Sequence, residues 1–123
     1  MKSYRDFLIW QKSISFVTAI YNVSANFPEQ ERFGLTSQIR RAAISIPSNF
    51  AEGFGRFHNK SFINYIRITI GSLYEVQTQL EISKNIDLIT DVDYSRLLSY
   101  SNEILSLKKG LIKSLSSDKD SLA

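Results

Sequence analysis

The chain has 123 residues, no cysteine, one histidine and a formal charge of +3. That length suits one domain with one core, and the missing cysteines exclude a disulfide framework and thiolate chemistry. His58 alone cannot build a multi-histidine metal site or a triad that needs a second histidine, and the Glu-x-x-His pair of a di-iron bundle is absent.

No cofactor, metal or small-molecule substrate is indicated. The opening MKSYRDFLIW puts an Arg-Asp pair before its apolar residues and lacks a small-residue cleavage site. No later apolar run approaches the roughly 18 residues of a membrane span. The expectation is a soluble, cytoplasmic protein that engages no membrane. Its charge is unevenly spread: residues 32 to 67 hold Arg32, Arg40, Arg41, Arg56, Lys60 and Arg67 against Glu52 alone. A basic middle between flanks that are slightly acidic in sum is the electrostatic anomaly of the chain.

The first helical pattern covers 6–26. At about 100° per residue, Phe7, Trp10, Ile14, Val17 and Tyr21 form one apolar stripe, and Ile9, Phe16, Ile20, Val23 and Phe27 form a second. So wide an apolar arc demands two or more neighbours. The second stripe is the candidate contact with another subunit. Pro28 ends the helix, since it has no amide to donate and biases Phe27 away from the α region.

The second helix is expected over 36–56 with Thr36 as its N-cap. Ile39, Ala43, Ile46, Phe50, Phe54 and Phe57 share a core face; Gln38, Arg41, Ser45, Asn49, Glu52 and Arg56 form a polar stripe; Arg40, Ile44, Pro47 and Ala51 lie between. Pro47 removes the partner of the Ala43 carbonyl, so it bends the helix or splits it near Ser45, with the hydroxyls of Ser45 and Ser48 in reach to compensate partly. Gly53 and Gly55 read as helix termination rather than as a phosphate cradle, because no strand precedes them.

A third helix is expected over 61–84, capped by Asn59 or Ser61, with Phe62, Tyr65, Ile66, Thr69, Leu73, Val76 and Leu80 inward and Ile63, Ile70 and Tyr74 widening the stripe. Gly71-Ser72 in its middle reads as room for another helix to approach. Asn85-Ile86-Asp87 breaks the pattern, and Thr90 with Asp93 gives a capping-box-like start to a fourth helix over 91–115. Residues 116–123 form a polar tail expected to fray. Helices of this length span about 30 to 37 Å, and short connections make them antiparallel neighbours. The fold class is therefore all-α, an up-down-up-down antiparallel four-helix bundle in one domain.

The segments IRRAAISIPSNFAEGFGR (39–56) and GSLYEVQTQLEIS (71–83) resemble the bacterial four-helix-bundle family encoded within intervening sequences of 23S ribosomal RNA genes, and the likeness runs from YRDFLIWQKS to about Ile89. The matched positions are Arg40, Arg41, Ala42, Ser45, Pro47, Asn49, Glu52, Gly53, Gly71, Ser72, Glu75 and Leu80. Phe50, Thr69 and Gln77 depart from the pattern, where an aliphatic residue, alanine and glutamate are usual. The resemblance implies a ring-like homo-oligomer, a pentamer foremost, and a distant relation to the basic helical accessory proteins of diversity-generating retroelements, which bind nucleic acid.

Two functions compete on these residues. In the first, a non-enzymatic bundle binds RNA or DNA backbone through Arg41, Arg56, Lys60, Arg67 and Arg40, because guanidinium forks suit phosphate. In the second, the chain is an assembly protein acting only through protein contacts, its subunit interface made by Ile9, Phe16, Ile20, Val23, Arg40, Ile44, Pro47 and Ala51. Arg40 belongs with the interface and Arg41 with Arg56 to the ligand face. His58 reads as a solvated loop residue, and Glu52 with Arg56 as a surface ion pair.

Overall fold

The computed structural model describes residues 3–117. Four helices, α1 (Leu8–Ser24), α2 (Leu35–Phe54), α3 (Asn59–Asn85) and α4 (Asp91–Ser117), are joined by short turns, with 3-10 turns at Tyr4–Asp6 and Glu29–Glu31. Each helix packs on its two sequence or end-to-end neighbours, while the diagonal pairs α1/α3 and α2/α4 do not approach at the backbone. Cross-helix contacts run antiparallel throughout: Ser45 meets Ser72 and Ile46 meets Thr69 between α2 and α3, Gln77 meets Ser101 between α3 and α4, and Phe16 meets Tyr100 between α1 and α4. The all-helical four-helix bundle read from the sequence is the fold.

Helix ends are set by local chemistry that differs from the expected caps. α1 begins at Leu8 because Ser3 and Asp6 close their own capping box around the preceding turn. Thr36 lies inside the first turn of α2; Gly34 is the N-cap, and Glu31 Oε1 accepts from the Leu35 amide at 3.1 Å. His58 precedes α3, so neither Asn59 nor Ser61 caps it, and the Asn59 amide nitrogen instead donates to the Leu115 carbonyl at 3.1 Å, tying the start of α3 to the end of α4. Thr90 Oγ1 does accept from the Asp93 amide at 3.0 Å, but the Asp93 carboxylate turns to Arg96. Ser116 and Ser117 are still helical; the remainder of the expected tail lies outside the described residues.

Pro47 neither splits α2 nor faces outward. It sits buried within one continuous helix. The expected compensation takes another form: Ser45 Oγ bonds the Ala42 carbonyl rather than that of Ala43, and shares a 2.6 Å hydrogen bond with Ser72 Oγ. Thr69 Oγ1 donates to the Ile46 carbonyl at 3.2 Å. The polar groups flanking the proline thus bond across the α2/α3 seam, where a buried hydroxyl left unpaired would be destabilising.

That seam is close because Gly53 has no side chain. A Cβ there would lie 2.4 Å from Tyr65 Cβ and 3.2 Å from Phe62 Cδ1, so Gly53 is a packing glycine inside α2 and not its terminator. Above it Phe7, Phe50, Phe54 and Phe62 stack edge to face with centroids 5.2–5.9 Å apart. The bulk of Phe50, unusual for the pattern it resembles, is accommodated by this cluster. Gly71 is the converse case. Nothing lies within 4 Å of where its Cβ would be, so no helix among the described residues uses the room it leaves.

The second stripe of α1 points inward. Ile9, Phe16 and Ile20 are 3 %, 0 % and 1 % exposed within the single protomer, and Val23 is half-buried against the same core. Ser13 and Ser24 complete that buried face because each hydroxyl bonds a carbonyl of its own helix. The exposed apolar residues of α1 are Leu8, Ile14 and Tyr21.

Candidate nucleic-acid interface

The five candidate phosphate-binding cations are separated into distinct environments. Arg40 lies at the junction of α1 and α2, where its Nε donates to Ser24 Oγ at 2.8 Å, its Nη2 donates to the Tyr21 carbonyl at 3.3 Å, and its guanidinium stands 4.4 Å from the centre of the Tyr21 ring. The arginine is bound within its own protomer. These contacts within the protomer account for its position without a second subunit.

Arg41 is exposed on the outer side of α2, and Lys60 and Arg67 are exposed on α3. Seven residues apart, Lys60 and Arg67 share one helix face. Among the described residues these three cations have no hydrogen-bond, ion-pair or ring partner. Arg56 is intermediate in kind: its guanidinium reaches Glu52 at 3.6 Å and Tyr65 Oη at 2.7 Å, and packs 5.2 Å from the Tyr65 ring. The Glu52–Arg56 pair is thus the exposed i,i+4 ion pair expected from spacing, a contact of a few tenths of a kcal/mol. His58 is exposed in the loop between α2 and α3.

The candidate interface residues divide in the same way. Ile9, Phe16, Ile20 and Pro47 are buried in the protomer, so no second chain can cover them as it stands. Ile44 is 42 % exposed, and Ala51 is half-buried on the same side of α2. On α3, Ile68 is 49 % exposed and Gly71 is exposed; the spacing of the sequence marks Gly71 as room for another helix but does not mark Ile68.

Two exposed phenylalanines also escaped the sequence reading. Phe57, placed on the core face by periodicity, is 66 % exposed beyond the end of α2, and Phe33 is 87 % exposed before its start. Each follows an arginine directly. A groove of about 390 Å³ runs between α3 and α4 past Tyr74, Gln77, Glu81 and Tyr94. Its polar groups have partners: Tyr94 Oη donates to Glu81 Oε1 at 2.6 Å, Gln77 Nε2 donates to Ser101 and Asn102 at 2.8 Å each, and Tyr74 Oη accepts from Lys108 at 3.2 Å. The bond to Glu81, helped by desolvation, raises the Tyr94 pKa above the usual phenol value. No cluster of three or more His, Cys, Asp or Glu side chains suited to a metal occurs among the described residues. No helix among them is long and apolar enough to cross a membrane.

The fold and surface define a small antiparallel four-helix bundle with exposed isoleucines on α2 and α3 and, among the described residues, unpaired cations on the same two helices. The family model of the 23S rRNA-intervening sequence protein matches residues 5–110, and the chain belongs to that family. Among solved structures it is similar to a protein of unknown function from the S23 ribosomal protein family of Bacteroides thetaiotaomicron, with 29 % identity and a TM-score of 0.77 over 86 % of this chain and 99 % of that one. No curated protein matches.

Proposed function

We propose that this chain is a non-enzymatic, self-assembling bundle that binds RNA or DNA through its phosphate backbone. The observation that carries this reading is the set Arg41, Lys60 and Arg67: exposed cations with no partner among the described residues, on two adjacent helices. An unpaired surface guanidinium forms a phosphate contact without first breaking an ion pair. The family description, with its reference to 23S rRNA, agrees with a nucleic-acid setting. Repetition around a ring, a pentamer foremost, multiplies a protomer charge of +3 into a substantial field. Arg56 adds to this set, whereas Arg40 is committed to Ser24 and Tyr21 and is a positioning residue of the bundle.

Backbone binding gives affinity that falls steeply with salt and depends little on base sequence. The test is fluorescence anisotropy of labelled RNA and DNA across a salt series. Arg41→Ala with Arg67→Ala should weaken binding and lower the salt slope by about 1 for each phosphate contact removed. Salt-insensitive binding, or none at low salt, would sink the reading.

A second reading, assembly through protein contacts alone, draws on Ile44, Ile68 and the open side of Gly71. Under it the same substitutions alter no nucleic-acid affinity, because there is none to alter.

A further inference from the structure

The loop between α2 and α3 contains a side chain that folding does not explain. Phe57 has φ 55°, in the left-handed region. A bulky non-glycine residue there is an outlier, because its Cβ crowds the following carbonyl oxygen. Glycine is the usual occupant of this position at a helix end, yet Gly55, two residues earlier, keeps an ordinary φ of −68°. Burial does not compensate, since Phe57 remains 66 % exposed and only leans on Phe54 with centroids 6.4 Å apart. An aromatic ring held in a strained conformation and presented to solvent is the pattern of a binding surface rather than of a core.

Its surroundings specify the chemistry. Arg56 directly precedes Phe57, and Lys60 follows in the first turn of α3 with no partner among the described residues. The α3 N-terminus carries no side-chain cap, so the positive end of a 27-residue helix adds to the same field. A cavity of about 320 Å³ opens beside them, lined by His58, Asn59, Lys60, Ile63, Leu115 and Ser116. An exposed aromatic ring amid cations is how single-stranded nucleic acids are held: bases stack on the ring while phosphates meet the charges.

We infer that Phe57 is a stacking platform for an unpaired base, with Arg56 and Lys60 holding the flanking phosphates, so that the ligand of this protein is single-stranded. The inference rests on the nucleic-acid reading above and narrows it. Duplex bases are stacked on each other and offer no face to the ring. Phe33 supplies an internal comparison: it is more exposed still, and Arg32 beside it packs 5.2 Å from its ring and pairs with Glu29 at 3.5 Å much as Arg56 pairs with Glu52, but Glu29 and Glu31 both precede it and no second cation like Lys60 lies within four residues. Carboxylates around it repel phosphate, so it is not expected to bind.

The experiment compares a labelled oligoadenylate with the duplex it forms with oligouridylate, at low salt, on the full chain. Wild type should prefer the single strand. Phe57→Ser should weaken single-strand binding by about ten-fold, in line with the loss of one stacked base, while Phe33→Ser changes it by less than about two-fold. Phe57→Trp keeps a ring and should retain binding, which separates stacking from any disturbance of the loop; circular dichroism of each variant checks the fold. Equal affinity for duplex and single strand, or Phe57→Ser binding like wild type, overturns this inference and leaves backbone binding standing. Absence of any binding by wild type overturns both.

Discussion

Gly53 shows how much one missing methyl decides. A Cβ there would overlap Tyr65 Cβ, an atom fixed to the α3 backbone, at 2.4 Å. Alanine would gain about 1 kcal/mol of helix propensity, but overpacking a rigid seam is destabilising by about 1–3 kcal/mol. Overpacking wins because relief requires the two helices to separate. Gly53→Ala should lower stability by about 1 kcal/mol in urea unfolding. At the same scale, Tyr94 should titrate above an ordinary tyrosine, because its neutral phenol donates to Glu81. A group whose folded pKa is raised adds stability below its unfolded pKa and loses it as pH rises through the folded value. Ultraviolet titration of the phenolates should show one late tyrosine, and Glu81→Gln should bring it back toward the others.

Among the elements, α2 carries the largest local conflict. Pro47 lies buried inside it and denies the Ala43 carbonyl an amide partner. Pro47→Ala would restore that bond and remove a penalty of about 3 kcal/mol. The same change deletes two buried methylenes, a loss of about 1.6 kcal/mol with some cavity cost added. Restoration outweighs loss, so the variant should be more stable by about 1 kcal/mol, read from the midpoint of urea unfolding. A less stable variant would mean that the proline ring is a tighter part of the core than its backbone penalty. The proline and its flanking serines were legible in the sequence, whereas the bonds from Ser45 to Ser72 and from Thr69 to Ile46 were not, because both cross to a helix more than twenty residues away.

For the whole molecule, Ile44, on the Arg40–Pro47–Ala51 side of α2, and Ile68, on α3, are exposed apolar residues that the protomer leaves uncovered. If copies of the chain meet there, wild type should elute at a multiple of 14.1 kDa, and Ile44→Lys with Ile68→Lys should elute as the 14.1 kDa monomer with unchanged helicity. Light scattering across a concentration series measures this directly. A wild-type monomer at all concentrations would remove self-assembly from the proposed function. Arg41 and Arg67 stand close in sequence to these residues, so the mass should be followed in the nucleic-acid experiment as well.

The sequence by itself determined the class and number of helices, because apolar residues recurring near every 3.6 positions and the breaks at Pro28 and at Asn85 to Asp87 are local properties of the chain. It also determined the Glu52–Arg56 pair, which needs only one turn of helix. It could not choose which apolar stripe of α1 faces inward, since Phe7, Trp10, Ile14, Val17 and Tyr21 recur at helical spacing just as Ile9, Phe16, Ile20, Val23 and Phe27 do. Only packing against α2 and α4 buried Ile9, Phe16 and Ile20 and left Ile14 and Tyr21 outside. Tertiary structure likewise bound Arg40 to α1, left Arg41 beside it without a partner among the described residues, and turned Phe57 out of the core face through its own left-handed backbone. Charge and periodicity are written residue by residue, but a side chain's partner lies on another helix, and that is settled when the helices meet.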